Sequence, residues 1–451
     1  MKRHLIGIGG VGMSALATAL VKLGDEVTGA DRTLGTPNIK FLESLGVKVF
    51  PDDGSGVDSS TDEVVVSTAI EETNAGIRKA KELGIPVTHR AKALSRALGG
   101  YKLVAVVGTC GKSTVTAMLG HVLSECGLDP MCVNGANVPG WDGAVRFGRG
   151  AYAVAEVDES DKSLVAFSPY AAIVTNASAD HYSKEEMDEV FDAFVKDCEG
   201  PVVDGRGNLD VLEGLDALEV PVPGAHNRQN AEMAVRMAVA LGVSSDRAIA
   251  AMKTFRGVER RLQLVSHSTS SIPHPFFVYD DYAHNPEKLR AMWTTLAEKH
   301  PEGICVIWRP HGYAPLRKMV DALGKMFAET VRPQDKLLLL PVYDAGGTTD
   351  RSINSDALLE RIASLEPDRA DRVIRGSDGA MRESDRVIRG SDGGLRASTA
   401  RVSEDPQATL VPDLDAAYAW CAAHRGEYAA FVTCGARDPG LPVLAKRLGE
   451  M

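Results

Sequence analysis

The chain has 451 residues, 44% hydrophobic and 25% charged, the balance of an ordinary globular protein with room for about three domains. A formal net charge of −11 excludes a general nucleic-acid or anionic-membrane binder, whose footprint is basic, and leaves room only for local cationic phosphate sites. Seven cysteines (110, 126, 132, 198, 305, 421 and 434) form no CxxC pair, and no uninterrupted apolar run reaches ~18 residues, so the expectation is a reduced cytoplasmic protein without a secretory leader or membrane insertion.

The amino terminus reads HLIGIGGVGMSALA, in which Gly7, Gly9 and Gly12 satisfy GxGxxG between a first strand and a helix running toward Leu23. A second strand over 26–30 ends at Asp31, and an acid about 20 positions after such glycines is the ribose-binding signature of a Rossmann unit. Alone, this pattern leaves a nicotinamide oxidoreductase open. Further βα units are predicted, with strands over 47–50, 63–67 and 86–89 and a helix over 75–83. Ser67 and Thr68 fall at a strand end, where open α/β sheets place ligands. Gly99-Gly100 marks a domain boundary.

The next strand, 103–107, leads into Gly108-Thr109-Cys110-Gly111-Lys112-Ser113-Thr114, then an amphipathic helix carrying Val115, Met118, Leu119 and Val122. Strand, glycine loop and helix are the context of a phosphate-binding loop. Its N–H groups face phosphates, Lys112 reaches the outer ones and Ser113 is placed to ligate Mg²⁺. Because Val106 stands where the strict pattern has its first glycine, the match is to a compact GTxGK[ST]T variant. Residues 131–140 read as a turn-rich loop. The strand over 151–161 discharges into Glu156, Asp158, Glu159 and Asp161, a carboxylate set suited to a hard cation beside phosphates. A strand over 171–176 runs on to Asp180-His181, which favours a metal or phosphate role. After a polar helix over 183–198, a long helix ending at Leu241 begins near His226 and puts Asn227 and Asn230 on one face. Paired amides there suit an adenine edge, and N-capping explains one of them equally well.

A third αβ region opens with a strand from Pro275 to Tyr279 followed by Asp280-Asp281-Tyr282-Ala283-His284, rich in hydrogen-bonding groups. Helices over 287–299 and 316–329 and strands over 303–308, 336–340 and 429–433 continue the alternation. The segment DRVIRGSDG at 371–379 recurs letter for letter at 385–393 and reads as a duplication in an exposed loop without a catalytic role.

Taken in order, GTCGKST (108–114), AEVDESD (155–161), VTNxxxDH (174–181), HNxxN (226–230), RRLQ (260–263) and DDYAH (280–284) resemble the Mur ligase family, the ATP-dependent amide-forming ligases of peptidoglycan precursor synthesis. The resemblance covers the chain apart from the duplicated loop. IGIGGVGMSALA, STAI before Asn74, and EVDESD are most similar to the alanine-adding members, and the ligase that reattaches murein tripeptide to UDP-N-acetylmuramate shares much of that pattern.

The resemblance implies an α/β chain of three domains. These are a Rossmann-like UDP-sugar domain (1–99), a central phosphate-loop ATPase domain with a mostly parallel sheet (100–266), and a Rossmann-like acceptor-side domain (267–451) with the duplicated loop exposed at about 370–400. It implies ATP and Mg²⁺ and no nicotinamide. By motif position, residues 108–114 with Asn227, Asn230, Arg261 and Asp281 bind ATP; Lys112, His181, Arg261 and His284 act in catalysis; Ser113, Glu156 and His181 hold magnesium. Gly9, Gly10, Val11, Gly12, Met13, Asp31, Ser67 and Thr68 take the UDP-sugar, and Tyr282, His284, His311 and Arg317 the acceptor. L-alanine or another amine is joined to the lactyl carboxylate of UDP-N-acetylmuramate; the alternatives are a murein tripeptide ligase of cell-wall recycling and a catalytically altered UDP-sugar-binding paralogue. Three departures stand out: Cys110 replaces the usual histidine, Ser183 replaces an aspartate, and Gly312 and Pro315 replace acceptor-side arginines, with His311 and Arg317 retained. The sequence gives no signal for oligomeric state, leaving a monomer or weak dimer.

Overall fold

The computed structural model describes residues 1–159, 163–177, 184–207, 209–268, 275–344, 346, 349–365 and 407–451. Asp161, Asp180, His181, Ser183 and both copies of the duplicated segment lie outside the described residues. The chain divides into two compact units, Met1–Arg261 and Leu262–Met451.

The first unit holds two sheets. Strands β1 (Lys2–Ile6), β2 (Glu26–Asp31), β3 (Lys48–Pro51), β4 (Glu63–Val66) and β5 (Val87–His89) pair in the order β3-β2-β1-β4-β5, all parallel. The chain winds one way from β1 to β3 and then crosses back to β4, so the β1–β4 gap is where a crevice opens at the carboxyl ends. Helices Val11–Lys22, Pro37–Ser44, Ala75–Glu82 and Arg90–Ala97 connect the strands. The second has its cap in the sequence: Thr36 accepts from the Ile39 N–H, and Pro37 occupies the first turn, where a missing N–H costs nothing.

Strands β6 (Lys102–Val107), β7 (Met131–Val133), β8 (Val145–Arg146), β9 (Tyr152–Glu156), β10 (Ala171–Val174) and β11 (Val202–Asp204) form the second sheet, ordered β11-β10-β6-β9-β7-β8. Only β7–β8 is antiparallel. The near-continuous apolar run of β6 reflects burial on both faces. Leu103, Ala105 and Val107 join a core shared with Leu16 and Leu20 of the first sheet's leading helix, while Val104 and Val106 pack with Val115, Met118 and Met233. The segment expected to be a turn-rich loop from 131 starts instead with β7, because Met131, Cys132 and Val133 are all buried and pair with β9.

In the second unit, β12 (Gln263–His267), β13 (Phe277–Asp281), β14 (Ile304–Trp308), β15 (Lys336–Leu339), β16 (Ala408–Leu410) and β17 (Ala430–Cys434) follow the order β12-β13-β17-β14-β15-β16. All neighbours are parallel except β12–β13. Helices Pro286–Lys299 and Tyr313–Thr330 cover one face through Trp293 and Phe327, and Gly440–Gly449 covers the other through Leu444 and Leu448. Among the described residues no helix is long and apolar enough to cross a membrane. The α/β class with mostly parallel sheets agrees with the sequence expectation.

Candidate active site

The phosphate-loop motif is moulded by the neighbouring strand end. Gly108 has φ of 129°, and a Cβ there would sit 2.1 Å from Thr175 Oγ1; Gly111 has φ of 84°, and its Cβ would sit 2.7 Å from Asn230 Oδ1. Both positions therefore need glycine for conformation and for space. Thr175 and Asn176, just past β10, hold the loop between them. Thr109 Oγ1 donates to Asn176 Oδ1 at 2.6 Å, and the Cys110 N–H donates to the same oxygen at 3.0 Å. The Cys110 carbonyl accepts from Thr175 Oγ1 at 2.6 Å and from Asn176 Nδ2 at 3.0 Å. The residue that departs from the motif is thus pinned through its backbone.

Lys112 opens the helix Lys112–Glu125, and its ammonium donates to the Gly108 carbonyl at 2.6 Å and to Glu159 Oε2 at 2.7 Å. Burial works against this charge, but the carboxylates of Glu159, Glu156 and Asp158 outweigh it and hold the ammonium above its ordinary pKa. Burial pushes the Glu159 carboxyl up, and Lys112 pulls it back. Glu156 lies in register with Val106 at the end of β9 and accepts from the Gly135 N–H at 2.8 Å. Ser113 is buried, and its hydroxyl accepts from Arg261 Nη2 at 3.4 Å. A hydroxyl, a lysine and a strand-end carboxylate around one glycine cradle fit a phosphate chain with a hard cation completed by phosphate and water oxygens. Among the described residues no group of three or more His, Cys, Asp or Glu is placed to hold a metal by itself. Asn227 and Asn230 are both buried on the first turns of the helix Ala225–Ala240, with Asn227 Nδ2 donating to the Pro223 carbonyl at 2.7 Å and Asn230 set against Gly111.

At the first sheet, Asp31 is tied to the glycine loop: its Oδ2 accepts from the Gly9 N–H at 2.9 Å and its Oδ1 from the Thr33 N–H at 3.0 Å. Gly10 caps the helix Val11–Lys22, Val11 is exposed, and the Met13 side chain is buried in the core, so Met13 faces the loop only by its backbone. Ser67 and Thr68 follow β4 directly, and Ile70 reaches Gly7 from the same turn.

In the second unit Asp280 is buried and accepts from Thr433 Oγ1 at 2.8 Å, while Asp281 accepts the N–H groups of Leu262 at 2.6 Å and Ala283 at 2.7 Å. His284 meets Tyr282 and His311 edge-on, with ring centroids 5.7 and 4.8 Å away. Arg317 pairs with Asp350 at 2.9 Å and bonds Ser352 Oγ at 3.0 Å. Gly312 caps the helix that begins at Tyr313, and Pro315 lies in its first turn, a position that tolerates a missing N–H.

Two family models match the chain: "Mur ligase family, catalytic domain" over residues 2–102 and "Mur ligase, glutamate ligase domain" over residues 260–389. A protein of Gloeobacter violaceus described as UDP-N-acetylmuramate–L-alanine ligase is 33% identical over 411 residues, spanning 81% of this chain and 86% of its own length. The chain belongs to the Mur ligase family. A second relative, the UDP-N-acetylmuramate–L-alanine ligase of an Arthrobacter species, is 32% identical over 80% of this chain and 85% of its own. Among solved structures, the UDP-N-acetylmuramate-alanine ligase of Thermotoga maritima superposes with a TM-score of 0.75 at 23% identity, covering 100% of this chain and 98% of that one. The murein peptide ligase of Psychrobacter arcticus gives 0.62 at 20% identity, covering 100% and 99%. Both likenesses bear on fold alone.

Mur ligases are ATP-dependent, and this one is an enzyme of the class that forms C–N bonds. In this Mur ligase the residues that sequence reasoning passed over are those that brace motifs from elsewhere in the sheet. Thr175 and Asn176 lay inside a recognised stretch, but nothing local showed that they would grip Cys110. Glu159 was noted as one acid of four, without its partner Lys112.

Proposed function

We propose that the chain joins L-alanine to the lactyl carboxylate of UDP-N-acetylmuramate, with ATP hydrolysed to ADP and phosphate, in cytoplasmic peptidoglycan precursor synthesis. The observation that carries this reading is Lys112 held at a glycine cradle among Glu159, Glu156 and Asp158, in a chain whose relatives across four-fifths of its length bear that activity in their names. On this reading the first sheet belongs to a sugar-nucleotide domain (1–99), the second to an ATP domain that ends at Arg261, five residues before the expected 266, and the third, which includes β12, to an acceptor-side domain.

The chemistry joins two anions, so the site needs positive charge more than a covalent nucleophile. A lactyl carboxylate oxygen bonds the γ-phosphorus as the bridge to ADP breaks, giving an acyl phosphate. The amine nitrogen then bonds the acyl carbon, phosphate leaves with the C–O electron pair, and the nitrogen gives up a proton. By motif position, Lys112 and Arg261 are assigned the phosphates, Asn227 and Asn230 the base, Asp281 the ribose, and His284 a catalytic role. Ser113, Glu156 and, by motif position, His181 would hold magnesium, which would supply charge neutralisation. Gly9–Met13, Asp31, Ser67 and Thr68 seat the sugar nucleotide, and Tyr282, His284, His311 and Arg317 receive the amine.

The test is phosphate release from ATP with UDP-N-acetylmuramate, screened against the amino acids and murein tripeptide. L-alanine is expected to give the highest rate. Release only with tripeptide reassigns the acceptor, and no amine-dependent release with any acceptor overturns the ligase reading.

A further inference from the structure

We propose that Arg437 binds the carboxylate of the amino-acid acceptor and so restricts the enzyme to amines that carry one. The inference rests on the ligase reading. It adds a residue that stands in none of the sequence motifs, together with the chemical class that this residue selects.

The third sheet sets the place. β17 lies between β13 and β14 and runs parallel to both, yet the helix after it packs on the opposite face from the helices that follow its neighbours. Where neighbouring connections part in this way an opening is left at the carboxyl ends of the strands, and open α/β sheets put ligands there. Three strand exits meet at it. Gly435 donates its N–H to the Asp281 carbonyl at 3.1 Å, and Arg309 donates its N–H to the Cys434 carbonyl at 3.1 Å. The rings of His284 and His311, from the two flanking exits, approach to 4.8 Å. Arg437 is the third residue past β17, so it stands at the same opening, between the loops that carry those histidines.

Charge decides what the opening takes. Asp438, the acid next to Arg437 in the chain, pairs with Arg309 and accepts the Gly440 N–H at 2.8 Å. Arg317 is matched by Asp350 at 2.9 Å and Arg351 by Asp344 at 2.7 Å. Arg437 is exposed, and among the described residues no hydrogen bond or ion pair engages its guanidinium. The helix Tyr313–Thr330 starts from the same opening, with no acid in its first turn to offset the positive end of its dipole. The described residues therefore leave an unmatched positive charge here. An amino acid brings one anionic group besides the amine that reacts, its carboxylate, to which a planar guanidinium fork donates two parallel N–H···O bonds.

The experiment measures amine-dependent phosphate release by the wild-type chain, Arg437→Ala and Arg437→Lys. The acceptors are the amino acid with the highest rate, L-alanine as expected, and its carboxamide, which keeps the amine and lacks the charge. Arg437→Ala is expected to raise KM for the amino acid by roughly tenfold to a hundredfold. The kcat and the KM values for ATP and UDP-N-acetylmuramate stay unchanged. The carboxamide is a poor acceptor for the wild type and equally poor for Arg437→Ala, and Arg437→Lys recovers part of the loss by restoring charge without the fork. Equal KM increases for amino acid and carboxamide, an unchanged KM for the amino acid, or a wild type that uses the two alike overturns the role of Arg437 and leaves the ligase reading in place. A wild type without amine-dependent release overturns both.

Discussion

The Lys112 ammonium is 2.7 Å from Glu159 Oε2, so the lysine of the glycine loop carries its own counter-ion. Both groups are largely removed from water, at 13% and 6% exposure, where an unpaired charge is costly. Glu159→Gln keeps an oxygen but removes the charge, and without nucleotide this variant should lose roughly 1–3 kcal/mol of stability. Phosphates take over the carboxylate's role when they bind, so a non-hydrolysable ATP analogue should raise Tm more in the variant than in the wild type. Identical shifts in the two proteins would show that Glu159 stays on Lys112 throughout.

Lys112→Ala removes the cation instead. ADP formation is expected to fall at least about 100-fold, the usual scale for deleting one charge-stabilising donor. UDP-N-acetylmuramate affinity measured by calorimetry should be unaltered. Turnover that persists near wild type would remove Lys112 from the mechanism.

Gly111 and Gly127 separate backbone strain from crowding. Both have left-handed φ, 84° and 81°, but only at Gly111 would a Cβ meet a neighbour, Asn230 Oδ1 at 2.7 Å. Gly127→Ala should cost about 1 kcal/mol, with ADP affinity unchanged. Gly111→Ala should cost more in denaturant titration and lose ADP binding as well.

His300 makes the second unit acid-sensitive. It is buried beside Tyr279, whose hydroxyl lies 3.1 Å from its Nε2, and burial, with help from Lys299, lowers its pKa to about 4. The folded value lies below the unfolded one, so between pH 6.5 and 4 the unfolded chain binds the proton first. The contribution, up to about 3 kcal/mol, is present above pH 6.5 and is lost as pH falls toward 4. Trp293, Trp308 and Trp420 lie in this unit and Trp141 in the other, so tryptophan fluorescence of a Trp141→Phe background follows its unfolding. His300→Gln should flatten the pH dependence in that window; an unchanged slope would remove His300 as its source.

Asp281 uses its two carboxylate oxygens on the N–H groups of Leu262 and Ala283, and Leu262 holds a left-handed φ of 46° beneath it. Asp281→Asn retains one acceptor and leaves one buried N–H without a partner, a loss of about 1–3 kcal/mol. Hydrogen exchange at Leu262 or Ala283 should accelerate. Protection equal to wild type at both amides would mean that water or another group replaces the carboxylate.

Much of the fold was legible because its signals are local. The apolar run before Gly108 and the period of Val115, Met118, Leu119 and Val122 announce a parallel strand and its helix, and both are present. The strands β7 and β8 were not legible, since two or three residues carry little periodicity, and β12, which has no buried residue, owes its form to its antiparallel neighbour β13. The same division runs through the site. Gly108, Lys112 and Asp281 advertise themselves by motif; Asn176 and Glu159 lie inside quoted motifs too, but their partners, Cys110 and Lys112, stand on another strand's loop and no local spacing names them.

The grip of Thr175 and Asn176 on Cys110 also bears on how portable the phosphate loop is. Residues 108–114 contribute glycines and a lysine, but their conformation is cast by a strand more than sixty residues downstream. A graft of that heptapeptide into another strand–helix junction would carry the words without the grammar. The transferable unit here is a pair of adjacent strand ends, β6 and β10, and an evolving chain must keep both or change both together.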